Sequence, residues 1–328
     1  MFIQVLPAGA GAKRTGASFI CSTVEEWIMG KAFNSILLAV DHCRGGAHAH
    51  QQAIVLAKRF RASLRMAYVV NSEDLAIPVP GPPGAPVVKP VVRGTRREAA
   101  LTAEGREELA AFENACERAA VKHGGSILVG HSEAIWAKEA SLCDLVVIRR
   151  AEKDFGFFDR WFGSMFWRIV VHSGRPVLVL PRTGSVAERM ALFYSNRVES
   201  SSALPWVAAF VSALDIPLTV HIAPNSSRGG GYVKECKALL ARHQVTAEFL
   251  HGGLLKAFAH EFSRPRSGLL ECLPLLAFDG GFRRGLWFCR RRRLVERLLR
   301  TAAHGILLCP WLTGGETPSR LEEQKKWR

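Results

Sequence analysis

Three groups of residues are suited to chemistry. Asp41 ends the apolar run Ser35-Ile-Leu-Leu-Ala-Val40 and is followed by His42, which sets a carboxylate beside an imidazole. Such a pair could exchange a proton, but an acid at a strand end more often holds a ligand or caps a helix. Arg290, Arg291, Arg292 and Arg293 form the densest charge cluster, with Arg283, Arg284, Arg297 and Arg300 close by. That cluster suits a phosphate, a nucleic acid or an acidic lipid. Four successive arginines cannot share one helical face, and at a helix start they oppose the dipole, a conflict that an anion would relieve. A solvated helix face, with Leu294, Leu298 and Leu299 turned inward, is the plainer reading and the preferred one. The third group is the aromatic stretch from Phe155 to Trp167, interleaved with Arg160. It suits base stacking, a membrane-surface contact or, by preference, packing at a domain–domain or dimer contact.

Other chemistries fare worse. His42, His48, His50, His131 and His172 show neither a His-x-x-x-His ligand pair nor a Ser-His-Asp order, so neither a metal site nor a hydrolase is expected. The 8 cysteines are spread singly without a C-x-x-C pair, which reads as buried free thiols in a reducing cytoplasm. Lys and Arg number 44 against 29 Asp and Glu, a formal charge of +15 that attracts polyanions or anionic lipid in a salt-dependent way. The most apolar candidate for a membrane span, from Leu204 to Val220, is interrupted by Pro205, Asp215 and Pro217.

The elements that must position these residues alternate. Ser35 to Val40 reads as a buried parallel strand, followed by the polar turn His42 to Gly46. A helix then places Ala49, Ala53, Ile54, Leu56, Ala57 and Phe60 on one broad face, and Leu64 to Val70 is the second strand. Asn71 to Gly94 is proline-rich and reads as a surface loop. A helix from about Arg97 to Lys122 follows, then strands at Ser126 to Val129 and Asp144 to Ile148 around a short helix, Glu133 to Glu139. Met165 to His172 is helical, and Pro176 to Leu180 is the last strand of this half.

The second half repeats the order. Strands are expected at Arg189 to Tyr194, Ile216 to Ile222, Ala247 to Leu250, Leu273 to Phe278 and Gly305 to Cys309. Helices are expected at Leu204 to Leu214, Tyr232 to His243, Gly253 to Phe262 and Arg290 to Ala303. Repetition of order and length argues for duplication. The reading is an α/β chain of two tandem units. Residues 1–32 would be a flexible extension, 33–183 and 189–311 the two domains, and 312–328 a polar tail.

The first half resembles the universal stress protein (UspA-type) family. The resemblance lies in Ile36-Leu-Leu-Ala-Val-Asp41, Ala67-Tyr-Val-Val70, Gly130, Asp144-Leu-Val-Val-Ile148, Gly163-Ser164, and His172-Ser173 leading into Pro176-Val-Leu-Val-Leu180-Pro181. It covers about Phe33 to Arg182; the second half is similar only in strand order and in Ile306-Leu-Leu-Cys-Pro310. The resemblance implies that each unit is an open, parallel five-stranded sheet with helices on both faces, of the adenine nucleotide alpha hydrolase-like, Rossmann-like type. It implies that this sheet pairs with a second copy, within the chain, in a homodimer, or both. It also implies ATP or another adenine nucleotide as a cofactor of many members. In those, an acid at the end of the first strand, here Asp41, lies near ribose and adenine, and a second-strand residue, here Val69 or Val70, lies beside the base. Gly130 follows the third strand, and a glycine-rich loop after the fourth ends in Gly-Ser, here Gly163 and Ser164. Glycines let backbone approach phosphate, and amides at a helix N-terminus receive its charge.

The two leading glycines of that loop are absent. Counting forward from Ile148 places Arg149 and Glu152 there, and counting back from Gly163 places Arg150 and Lys153. A guanidinium holds phosphate oxygens directly, so an altered anion site stays open, but side chains stand where bare backbone is expected. In the second half the acid is replaced by Ser195 or Asn196, and that half is expected to serve as a pairing partner. The function expected is a non-enzymatic, cytoplasmic binding or regulatory protein of the stress response with a degraded nucleotide site. Two other readings are kept: a weak ATP-binding or ATP-hydrolysing protein, and a basic adaptor for nucleic acid or anionic membrane.

Overall fold

The computed structural model describes residues 33–40, 46–75, 94–149, 175–180, 188–194, 198–222, 230–251, 269–274 and 305–309. The first half comprises β1 (Ser35–Val40), α1 (Ala47–Phe60), β2 (Ser63–Asn71), a 3-10 turn (Ser72–Leu75), α2 (Arg96–Arg118), β3 (His123–Gly130), α3 (Ser132–Ser141), β4 (Leu145–Arg149) and β5 (Val177–Leu180). The second comprises β6 (Arg189–Tyr194), α4 (Val198–Leu214), β7 (Leu218–Ile222), α5 (Gly230–Arg242), β8 (Ala247–His251), β9 (Leu269–Pro274) and β10 (Gly305–Cys309).

These strands form one ten-stranded sheet in the order β3-β2-β1-β4-β5-β10-β9-β6-β7-β8. Each half is parallel within itself and runs 3-2-1-4-5 from its own outer edge. The seam is antiparallel, pairing Val177, Leu178 and Val179 with Leu308, Leu307 and Ile306. All six side chains are buried, because each half covers the strand edge that the other would leave open.

Alternation along the strands divides the core into two layers. Leu38, Val40, Met66, Tyr68, Leu178 and Leu307 face a layer that holds α1, α2, α4 and α5. Leu37, Ala39, Val69, Val146, Ile148 and Val179 are also buried but lie outside that cluster, as does Trp136 of α3. The residues predicted for the inner face of α1, from Ala49 to Phe60, are buried. An aromatic cluster binds the halves on the first layer. Phe33 lies 4.9 Å from Phe60, 5.9 Å from Trp206 and 5.0 Å from Phe210, and Phe60 lies 5.0 Å from Phe210.

The helix ends repeat as well as the strands. Arg61 after α1 and Asp215 after α4 adopt left-handed φ values of 54° and 53°. Ala120 after α2 and Gln244 after α5 do the same at 53° and 57°. At each end the next amide bonds back to the last turn, as from Ala62 to Ala57 and from Ile216 to Val211. This is the Schellman-type ending, made four times without glycine.

Two sequence expectations need correction. The fourth strand of the second half was placed at Leu273 to Phe278, the more apolar run, but the strand is Leu269–Pro274. Its register is set by β6 on one side and β10 on the other, and it puts Pro274, which has no amide hydrogen, at the strand's last position. The helix expected from Leu204 begins at Val198 and contains Pro205. From Ala203 to Val211 it is buried almost throughout, lying between α1, α5 and its own sheet, so tertiary packing offsets the bond that proline forfeits. Among the described residues no helix is long and apolar enough to cross a membrane. The helices expected at Met165 to His172, Gly253 to Phe262 and Arg290 to Ala303 lie outside the described residues.

Candidate functional site at the carboxyl edge of the first half

An open α/β sheet binds ligands at the carboxyl ends of its strands, where the strand order reverses. In the first half that point lies between β1 and β4, which are paired from Ile36↔Leu145 to Ala39↔Ile148. β2 outruns β1: Val40 is opposite Tyr68, so Val69, Val70 and Asn71 extend past the last paired residue. Val69 and Val70 are both 1% exposed and face opposite layers, Val70 within the α1–α2 layer and Val69 outside it. Gly130 ends β3 opposite Asn71, and a Cβ there would meet Ile135 Cδ1 at 3.2 Å. Its small size thus lets α3 seat against the strand end.

Arg149 is the last residue of β4 and is paired with Leu180. Its backbone belongs to the ladder; its side chain lies outside the description. Asp41, Arg150, Gly163, Ser164 and the cluster Arg290, Arg291, Arg292 and Arg293 also fall outside the described residues. The structure therefore brings Val69, Val70, Gly130 and the Arg149 backbone to one edge.

Two polar contacts at this edge were not singled out by sequence reading. Gly46, at the start of α1, has φ 116° and donates its amide hydrogen to Glu108 Oε1 on α2. His50 Nε2 lies 2.9 Å from the same oxygen, with its ring edge-on to Phe112 at 5.5 Å. Past the ends of β2 and β3, Ser72 Oγ and His131 Nδ1 are 3.2 Å apart, a clasp where strand pairing stops. His50 and His131 had been weighed only as metal or catalytic residues. Glu108 lies among many charged residues of α2, and no local pattern marks it.

Asp144, part of the family resemblance, lies at the opposite edge. Its Oδ2 accepts bonds from Asn34 N (3.0 Å), Ser35 N (3.0 Å) and Ser35 Oγ (2.9 Å), which staples the starts of β1 and β4. The role is structural. Two buried cysteines are held in the neutral thiol form. Burial pushes the Cys143 thiol up to about 12 despite the charge of Arg175, and burial with Glu113 nearby pushes Cys116 up to about 11. Among the described residues, no three His, Cys, Asp or Glu side chains are grouped to hold a metal ion.

The comparisons agree with this geometry. The family model for the universal stress protein family matches residues 32–181. No curated protein matches the chain. The solved structure of a universal stress protein from Archaeoglobus fulgidus is similar at a TM-score of 0.62 and 12% identity, covering 84% of this chain and 96% of that one. A functionally unknown protein from Pseudomonas aeruginosa is similar at a TM-score of 0.54 and 13% identity, covering 90% and 98%. At these identities the likeness concerns the fold, and its coverage extends over both halves. Parallel strands in the order 3-2-1-4-5, with helices between them, define a Rossmann-like α/β protein. Residues 32–181 are the part of the chain that is similar to the universal stress protein family.

Proposed function

We propose that this chain is a non-enzymatic binding or regulatory protein of the stress response whose first-half nucleotide seat is degraded. The observation that carries the reading is the pairing of Arg149 with Leu180. By the forward count from Ile148, the position where the family resemblance expects the first loop glycine is here Arg149, a strand residue with a Cβ and a long side chain. Backbone amides cannot approach a phosphate as closely there as at glycine. The packing of Gly130 against Ile135 supports the same reading, because that glycine serves helix seating. The second half then acts as the pairing partner of the first, a role supported by the antiparallel seam and the aromatic cluster.

The test is calorimetric titration of protein stripped of carried-over ligand with ATP, ADP and AMP. No heat is expected at millimolar nucleotide. Saturable binding of any of the three would overturn the reading.

A further inference from the structure

The start of α1 lacks the means to cap itself. Its N-cap residue is Gly46, no side-chain cap bond is made, and no acidic residue occupies the first turn. α2 is different, since Thr95 Oγ1 accepts the Glu98 amide at 3.1 Å while Glu98 Oε2 accepts the Gly94 amide at 2.8 Å. The carboxylate that α1 lacks comes from Glu108 of α2, far along the chain, and receives the Gly46 N–H. The side chain of His50, one turn into α1 and only 3% exposed, places Nε2 2.9 Å from the same oxygen, and the Phe112 ring flanks it. The carboxylate thus receives the backbone donor and lies beside a buried imidazole.

Helix starts at the carboxyl edge of an open α/β sheet are where anions meet backbone amides. We propose that Glu108 is a built-in occupant of the α1 start, bonded to the Gly46 amide beside His50, which closes this N-terminus to anionic ligands. The inference rests on the reading of a degraded nucleotide seat and sharpens it. The Gly46 amide is taken by the chain's own carboxylate. An incoming phosphate would meet a like charge already hydrogen-bonded to the amide it needs. Glu108 is a positioning residue for Gly46.

Amide-resolved NMR on the full chain tests this in two ways. Inorganic phosphate at millimolar concentration should leave the Gly46 amide signal of the wild-type protein unmoved; a saturable shift would overturn the proposal. Glu108→Ala should speed hydrogen exchange at Gly46 by roughly tenfold, the loss of one charge-assisted bond, with Leu56 and Phe60 unchanged. Glu108→Gln, which keeps an acceptor oxygen, should restore most of the protection. Unchanged exchange at Gly46 in Glu108→Ala would sink the proposal, and if that variant fails to fold, the wild-type phosphate titration decides alone. Nucleotide binding seen by calorimetry with Gly46 unmoved would refute the degraded-seat reading and leave this inference standing.

Discussion

The two halves share a backbone plan and differ in what their sequences retain. Both run 3-2-1-4-5, and both end corresponding helices in left-handed residues, Arg61 with Asp215 and Ala120 with Gln244. Only the first is matched by the family model. The difference teaches which features a duplicated fold can shed. Strand order and helix ends depend on apolar periodicity and turn geometry, which many sequences satisfy. A ligand site depends on a few residue types at fixed places, so fewer sequences satisfy it. The second half also supplies what a lone first half would lack, a partner for the β5 edge and two rings of the aromatic cluster.

The strongest way to break that comparison is to cut the tie between the halves. Phe210→Ala removes a fully buried ring that touches Phe33 and Phe60, and should cost about 3–5 kcal/mol. Because the rings belong to both halves, chemical denaturation followed by fluorescence and circular dichroism should show one transition at lower denaturant. Two separate transitions in the wild-type protein would show instead that the halves fold independently. A smaller effect is expected from Asp144→Ala, which deletes three hydrogen bonds to one carboxylate oxygen and should cost roughly 2–4 kcal/mol. Hydrogen exchange should speed up at Ile36 and Leu145, beside the staple, before it does at Val220 in β7. Equal change at all three sites would argue against a local staple. The smallest effect should be a gain. Ala120→Gly and Gln244→Gly each relieve a left-handed residue and should each raise stability by about 0.5–1 kcal/mol. A gain in one half and a loss in the other, measured by thermal unfolding, would mean that the two helix ends are not equivalent.

Much of the fold is legible in the sequence because its signals are local. Ser35 to Val40 and Gly305 to Cys309 read as buried strands from their apolar runs, and the inner face of α1 follows from its spacing. Legibility fails where a second element sets the answer. Leu273 to Phe278 is the more apolar run, yet pairing on both sides selects Leu269–Pro274. The helix expected from Leu204, next to Pro205, begins instead at Val198, and α1, α5 and the sheet pack around it. At the candidate site, family resemblance names Val69, Val70, Gly130 and Arg149, whose backbones lie at one sheet edge. Glu108 was missed because its meaning lies in a contact with Gly46 on another helix.

The amino-acid sequence by itself determined the element order, the parallel α/β class and the loss of the leading glycines, because composition and short-range periodicity carry those facts. Tertiary structure alone decided that the two halves share one sheet, since the β5–β10 seam joins residues far apart in the chain. It alone decided that Asp144 staples the amino edge and that Glu108 occupies the start of α1. Hydrogen bonds of that kind depend on distance and direction between elements, which packing sets and local sequence does not encode.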